Sequence, residues 1–269
     1  MQLRMPTPNI LQKILAQKTL EIAAAKNTIS AQELQARIAL MGPARSLRDA
    51  LQRNGLSVIA EIKKASPSAG VIRENFNPPE IARSYINASA DAISMLTDEK
   101  FFHGSLAYIP QIRPFTPIPI LRKDFIIDRY QLLEARAAGA DAVLLIVAAL
   151  EKAQLRDLLR QTRELGMEAL VETHTAAEMD IALDAGADII GINNRSLETF
   201  QIDLATTEQL ALLAPESVVI VAESGLHTRD DVQRMIAAGV DAILVGTHFM
   251  KSPDPGAALQ AFLSGRGEC

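Results

Sequence analysis

The sequence predicts an α/β fold, a closed (β/α)8 barrel of the TIM type carrying an N-terminal helical extension. Three observations predict it. A short motif recurs four times, as A88-S-A-D-A-I, A138-G-A-D-A-V, A185-G-A-D-I-I and A238-G-V-D-A-I. From Ser89 to Gly139 to Gly186 to Gly239 the spacings are 50, 47 and 53 residues. Each motif reads as a helix end, a left-handed cap and the start of an apolar strand. A period near fifty spans about two βα units of roughly 20 to 30 residues each, so four periods make eight strands. Second, the apolar runs between the motifs supply the alternate strands, and β alternating with α implies a parallel sheet. Third, five apolar runs end in a charged or amide side chain: V58-I-A-E-I-K, I118-P-I-L-R-K, A169-L-V-E, I189-I-G-I-N-N and V218-V-I-V-A-E. Burying isolated charges is costly, so polar tips on strand after strand suggest one ring of working groups around one pocket.

In chain order, residues 1–45 precede the barrel. I10-L-Q-K-I-L-A-Q-K-T-L-E-I-A-A-A-K and A31-Q-E-L-Q-A-R-I-A-L carry apolar residues at helical spacing. They predict one or two extra helices, either a cap over a barrel end or a lid on the site. Strands are expected near 57–62, 91–96, 118–122, 141–147, 168–172, 188–193, 217–222 and 241–246. Helices lie between them, for example Tyr130–Ala138 and Ala176–Ala185. Residues 1–269 then form a single domain. An open doubly wound sheet is the alternative, but it would normally carry a G-x-G-x-x-G loop after an early strand, and this chain has none.

In such a barrel the site lies at the C-terminal ends of the strands. Glu61 and Lys63 are two apart, share one strand face with Ile59, and can hold each other charged. Their bland reading is an ion pair that only fixes the barrel's layers. Lys123 ends the third strand, where an ammonium can protonate a carbonyl oxygen or form a Schiff base. Its bland reading is a surface salt bridge with Asp124 or Asp128. Glu172, beside Thr173 and His174, could be a general acid or base. Asn193 can hold a substrate hydroxyl and Arg195 can fork a carboxylate or phosphate, whereas Asn194 reads as a plain turn residue. The last two strands end in E223-S-G-L and V245-G-T-H. Loops after strands seven and eight are the usual phosphate site, which singles out Ser224, Gly225, Gly246 and Thr247. S66-P-S-A-G begins a long loop after the first strand. It is either an ordinary βα loop or a mobile loop that brings Ser66 to a ligand.

Composition narrows the function classes. Hydrophobic residues make up 48% and charged residues 22% of the 269, as in ordinary globular proteins. Trp is absent and aromatics are 4%, so Ala, Leu, Ile and Val fill the core. The net charge of -5 argues against a broad basic nucleic-acid surface but allows a small anionic ligand. The single cysteine, Cys269, precludes an internal disulfide framework and fits a reducing cytosol. The opening M1-Q-L-R-M-P-T-P lacks an apolar signal segment, and the longest apolar stretch, Ala142 to Leu150, is too short to span a bilayer. The four histidines, His103, His174, His227 and His248, lack metal-site spacing, so no metal is expected.

The stretches I59-A-E-I-K-K-A-S-P-S, S94-M-L-T-D-E-K-F-F-H-G-S, L121-R-K-D-F-I-I-D, L144-L-I-V-A-A-L, L170-V-E-T-H, G191-I-N-N-R-S-L, A222-E-S-G-L and L244-V-G-T run over nearly the whole chain in one order. Together they resemble the indole-3-glycerol phosphate synthase family. The resemblance implies a cofactor-independent carboxy-lyase of tryptophan biosynthesis. The implied reaction converts 1-(2-carboxyphenylamino)-1-deoxyribulose 5-phosphate to indole-3-glycerol phosphate, releasing CO2 and water. It implies Lys123 as general acid, Glu172 as a proton-transfer partner, and Lys63, held by Glu61, as an orienting group that shares acid duty. Asn193 and Glu223 would hold sugar hydroxyls and developing charge, and Arg195 would face the substrate carboxylate. Ser66, Ser224, Gly225, Gly246 and Thr247 would surround the phosphate. A cytoplasmic monomer or weak dimer is implied, with room for contacts to other tryptophan-pathway enzymes and no nucleic-acid or membrane partner. Four positions depart from the family pattern: Ala69 where many relatives carry Lys, Thr247 and His248 after the last strand, and Ser89 in place of the motif's Gly. The rival readings are a Schiff-base aldolase using Lys123 or Lys63 and a catalytically silent phosphate-binding barrel.

Overall fold

A computed structural model describes residues 9–53 and 55–264; Cys269 and the opening residues 1–8 lie outside them. Eight parallel strands close on themselves: β1 (Ser57–Ile62), β4 (Ala92–Leu96), β5 (Ile120–Lys123), β6 (Ala142–Ile146), β7 (Glu168–Thr173), β8 (Ile189–Asn193), β9 (Val219–Glu223) and β10 (Ala242–Val245). β10 pairs with β1, Ala60 standing opposite Val245, which removes every free edge. The open-sheet alternative is thereby excluded. Two short strands, β2 (Ala65–Ser66) and β3 (Gly70–Val71), form an antiparallel hairpin after β1. The S66-P-S-A-G segment is therefore a hairpin turn instead of an irregular loop.

The strands alternate faces. On β1, Val58, Ala60 and Ile62 pack outward in the layer beneath the helices, and Ile59 packs inward with Leu121, Leu144, Leu170, Val221 and Leu244. On β1, β5, β7 and β9 the next inward position is polar: Glu61, Lys123, Glu172 and Glu223. The outer helices are α4 (Pro78–Asn87), α5 (Glu99–Phe102), α6 (Tyr108–Ile112), α7 (Arg129–Ala138), α8 (Lys152–Glu164), α9 (Ala176–Ala185), α10 (Ala205–Leu210), α11 (Arg229–Ala237), α12 (Thr247–Lys251) and α13 (Pro255–Leu263). Several of their starts are capped locally: Asp128 and Gln131 form a capping box on α7, and Thr175 caps α9.

The fourfold motif has a structural purpose that periodicity alone does not reveal. Gly139, Gly186 and Gly239 take left-handed backbone, and Ser89 takes it too, at φ 64°. The motif's Asp then clasps the start of the preceding strand. Asp91, Asp141 and Asp241 accept the backbone N–H of Val58, Ile120 and Ile220, each at 2.8 Å. Asp188 instead meets Arg163 at 2.7 Å.

Three helices precede the barrel: α1 (Ile10–Thr28), α2 (Ala31–Ile38) and α3 (Leu47–Leu51). They divide the two roles the sequence left open. α3 plugs the N-terminal end, where the Ser46 hydroxyl and the Arg48 N–H donate to Glu168 at the start of β7. α1 lies at the opposite mouth. Its Lys18 is buried and meets Asp98 at 2.8 Å and Asp124 at 3.0 Å. α2 packs on α7 through Leu34 and Tyr130. Among the described residues, no helix is long and apolar enough to cross a membrane.

Candidate active site

The C-terminal mouth of the barrel holds a pocket of about 190 Å³. Every site residue expected from the sequence lines it: Glu61, Lys63, Ser66, Lys123, Glu172, Asn193, Arg195, Glu223, Ser224, Gly225, Gly246 and Thr247. The barrel's pleat explains this. Glu61, Lys123, Glu172 and Glu223 each occupy the inward position two residues beyond an inward apolar one, Ile59, Leu121, Leu170 and Val221.

Lys123 is the hub. Its ammonium is hydrogen-bonded to Glu223 and lies 3.8 Å from Glu61 and 3.9 Å from Glu172. These carboxylates are buried, at 3% exposure for Glu61 and Glu172 and 1% for Glu223. The surface pairing considered for Lys123 is thus absent: Asp124 faces Lys18 and Arg122, and Asp128 faces Lys26. Burial works against the Lys123 charge, but Glu223, Glu61 and Glu172 outweigh it and hold its pKa well above the ordinary lysine value. Burial also pushes Glu61 up, yet Lys63 and then Lys123 prevail and hold its carboxyl below the usual range. Lys63 bonds Glu61 directly. Glu223 goes the other way. Burial raises it, Lys123 opposes, and the charges of Glu172 and Glu61 add to the rise, leaving it at about 7.

Two ends of the pocket differ in character. At one, Ser224 and Gly225 both take left-handed backbone, at φ 67° and 82°. The buried Asn194 amide donates to the Ser224 carbonyl at 3.1 Å while its oxygen accepts from Thr207 at 2.8 Å. Asn194 is therefore more than a turn residue, since it fixes this turn to α10. Gly246 and Thr247 open α12 beside it. At the other end Ile14, Phe102, Phe125 and Leu197 form an apolar wall, with the two phenyl rings 6.0 Å apart. Ser66, Pro67 and Ser68 of the hairpin turn complete the rim. Arg195 is half-buried, and its N–H donates to Asn193 Oδ1 at 3.1 Å.

Several lining groups escaped sequence reasoning. The apolar wall gave no motif, although F101-F and D124-F stand beside charged segments. Gly191 is a strand-interior glycine, which signals close approach: a Cβ there would fall 3.3 Å from the Glu223 Cδ and collide with its Oε1. Gly246 leaves the same kind of room, because a Cβ would meet Glu61 at its Cδ, 2.8 Å away. His227 and His248 also line the pocket, their rings 6.1 Å apart. Among the described residues, no group of His, Cys, Asp and Glu is arranged to hold a metal ion.

Comparison with known proteins bears on the fold and the family. In fold, the chain is similar to orotidine 5'-phosphate decarboxylase from Pyrococcus horikoshii. The TM-score is 0.61 at 14% identity, over 79% of this chain and all of that one (100%). It is also similar to thiamine phosphate pyrophosphorylase from Pyrococcus furiosus, with a TM-score of 0.58 at 16% identity over 79% and 96% of the two chains. These likenesses concern the barrel. In sequence, it is 49% identical over 255 residues to the indole-3-glycerol phosphate synthase of Albidiferax ferrireducens, covering 93% of this chain and 97% of the relative. It is 48% identical over 256 residues to that of Laribacter hongkongensis, with the same coverage of 93% and 97%. The family model described as indole-3-glycerol phosphate synthase matches residues 11–262, a span that takes in the polar strand ends, the turns after β9 and β10 and the helix over the mouth. The chain belongs to the indole-3-glycerol phosphate synthase family.

Proposed function

We propose that this pocket closes the pyrrole ring of indole-3-glycerol phosphate, from 1-(2-carboxyphenylamino)-1-deoxyribulose 5-phosphate, with loss of CO2 and water. Family membership supports the reaction. The observation that carries the assignment of roles is a single ammonium, Lys123, set among three buried carboxylates between a donor-rich end and an apolar end.

The substrate's three parts match those ends. Its phosphate lies against Ser224, Gly225, Gly246 and Thr247, with Ser66 closing from the hairpin. Its benzoate ring lies on the wall of Phe102, Phe125 and Leu197, and Arg195 faces its carboxylate. The ribulose carbonyl then falls near Lys123. As the ring carbon bearing the carboxylate attacks that carbonyl, Lys123 gives a proton to the oxygen, so the new C–C bond forms with a hydroxyl in place of an alkoxide. That ring carbon is now tetrahedral. CO2 leaves, its bonding pair returns to the ring, and aromaticity is restored. The hydroxyl departs as water with a proton from a lysine, and loss of the adjacent C–H proton to Glu172 completes the indole. Asn193 and Glu223 hold the sugar hydroxyls, and Lys63, fixed by Glu61, orients the substrate and shares acid duty.

The surrounding carboxylates suit this work. They keep Lys123 protonated before substrate arrives, and their negative charge favours the cation that develops on the ring nitrogen. The enzyme is a carboxy-lyase that works without a cofactor. We further infer a cytoplasmic monomer or weak dimer, with contacts to other tryptophan-pathway enzymes.

An indole-fluorescence assay with the carboxyphenylamino-ribulose phosphate tests the reading. Product formation is expected, and folded protein that makes none overturns it. Borohydride added with substrate is expected to trap no adduct. A trapped lysine adduct would favour the Schiff-base aldolase.

A further inference from the structure

We propose that His174 is a positioning residue that fixes the orientation of the Glu172 carboxylate; the proposal rests on the functional reading above. His174 follows the last residue of β7 and precedes the start of α9. Glu178, on the first turn of α9, grips it twice: its Oε2 accepts the His174 backbone N–H at 2.7 Å and lies 3.1 Å from Nδ1. That grip turns the other ring nitrogen inward. Nε2 is buried without a hydrogen-bond partner and stands 3.4 Å from Glu172 Oε1. The second Glu172 oxygen lies 3.9 Å from the Lys123 ammonium. Glu172 is therefore held between two nitrogen groups, one per oxygen.

The chemistry of the ring follows. If neutral, with its hydrogen on Nδ1 donated to Glu178, the imidazole would aim a bare lone pair at a carboxylate. Protonation converts that repulsion into an N–H pointing at Glu172. The charged groups facing this arrangement are Glu172 on β7, Glu178 on α9 and Glu223 on β9, with Lys123 on β5 beyond Glu172. Burial disfavours the imidazolium, but Glu178 and then Glu172 outweigh it and raise the His174 pKa above the ordinary value. An N–H aimed at one Glu172 oxygen holds that carboxylate in a single orientation beside Lys123. The ring reaches Glu172 and not the pocket, since it is absent from the lining; it acts through Glu172.

Steady-state kinetics across pH, by indole fluorescence, test this with three variants. His174→Asn removes the charge and cannot reach Glu172. Its kcat is expected to fall about tenfold with KM within about twofold, and the alkaline decline of kcat that follows loss of the His174 proton to disappear. In His174→Gln the amide nitrogen approaches the former Nε2 position, so kcat recovers while that decline stays absent. Glu178→Gln leaves the ring in place with a weaker hold on its proton, so the decline begins at lower pH. A folded His174→Asn enzyme with unchanged kcat and an unchanged alkaline decline overturns the proposal. If that variant does not fold, an unmoved alkaline decline in Glu178→Gln overturns it instead. Wild-type enzyme in the same assay separates the two readings: absence of product there would sink the proposed function and not the role of His174.

Discussion

Glu223 shows how one residue's surroundings set both stability and function. Its carboxyl sits near 7 in the fold, against an ordinary 4.5. Between those values the folded state holds a proton that the unfolded chain has released. Stability therefore falls as pH rises from about 4.5 through 7. Glu223→Gln, which mimics the protonated form, is expected to raise the thermal midpoint at pH 8 by a few degrees and to change it little at pH 5. Equal effects at both values would show that Glu223 is not the group responsible. Gly191 tests the same carboxylate sterically. Gly191→Ala collides with Glu223 Oε1, so the carboxylate whose other oxygen bonds Lys123 has to shift. It is expected to cost about 1–3 kcal/mol of stability, seen in urea unfolding, and to lower kcat by about tenfold or more. An unchanged kcat would mean that the Lys123–Glu223 contact is dispensable.

At the scale of elements, the sequence was most legible where a rule is local. The strand at 57–62 and the helix at Ala176–Ala185 have the expected bounds, because apolar alternation and a Gly cap fix them without reference to the rest of the chain. The third strand begins at Ile120, two residues later than expected, since I118-P is apolar but Pro119 supplies no N–H to a ladder. What stayed hidden depends on distant partners. The Lys18 clamp joins α1 to Asp98 and Asp124, residues far apart in sequence. Burial opposes the Lys18 charge, but Asp124 and Asp98 keep its pKa above the ordinary lysine value. Lys18→Met leaves those carboxylates short of a cation and is expected to cost about 3 kcal/mol, read as a lower urea midpoint. An unshifted midpoint would mean that α1 is held by its apolar face alone.

On the scale of the whole molecule, closure converts a one-dimensional pattern into a site. Polar tips that are scattered through more than half of the chain become neighbours because eight strands share one axis and one direction. That much followed from the fourfold motif and the pleat. The apolar wall did not, because an apolar residue that lines a pocket looks the same in sequence as one that fills a core; the N-terminal helix was expected, but not which end of the barrel it covers. The net charge of -5 likewise concealed a pocket that gathers two lysines, an arginine and the hydroxyls of Ser66, Ser224 and Thr247. The central claim is that this geometry makes Lys123 the proton donor for ring closure. Turnover of Lys123→Ala, measured by indole fluorescence on protein shown to be folded and to bind substrate, tests it most directly. The account predicts a loss of more than about 100-fold. Turnover within about tenfold of wild type, a loss under roughly 1.4 kcal/mol, would contradict it.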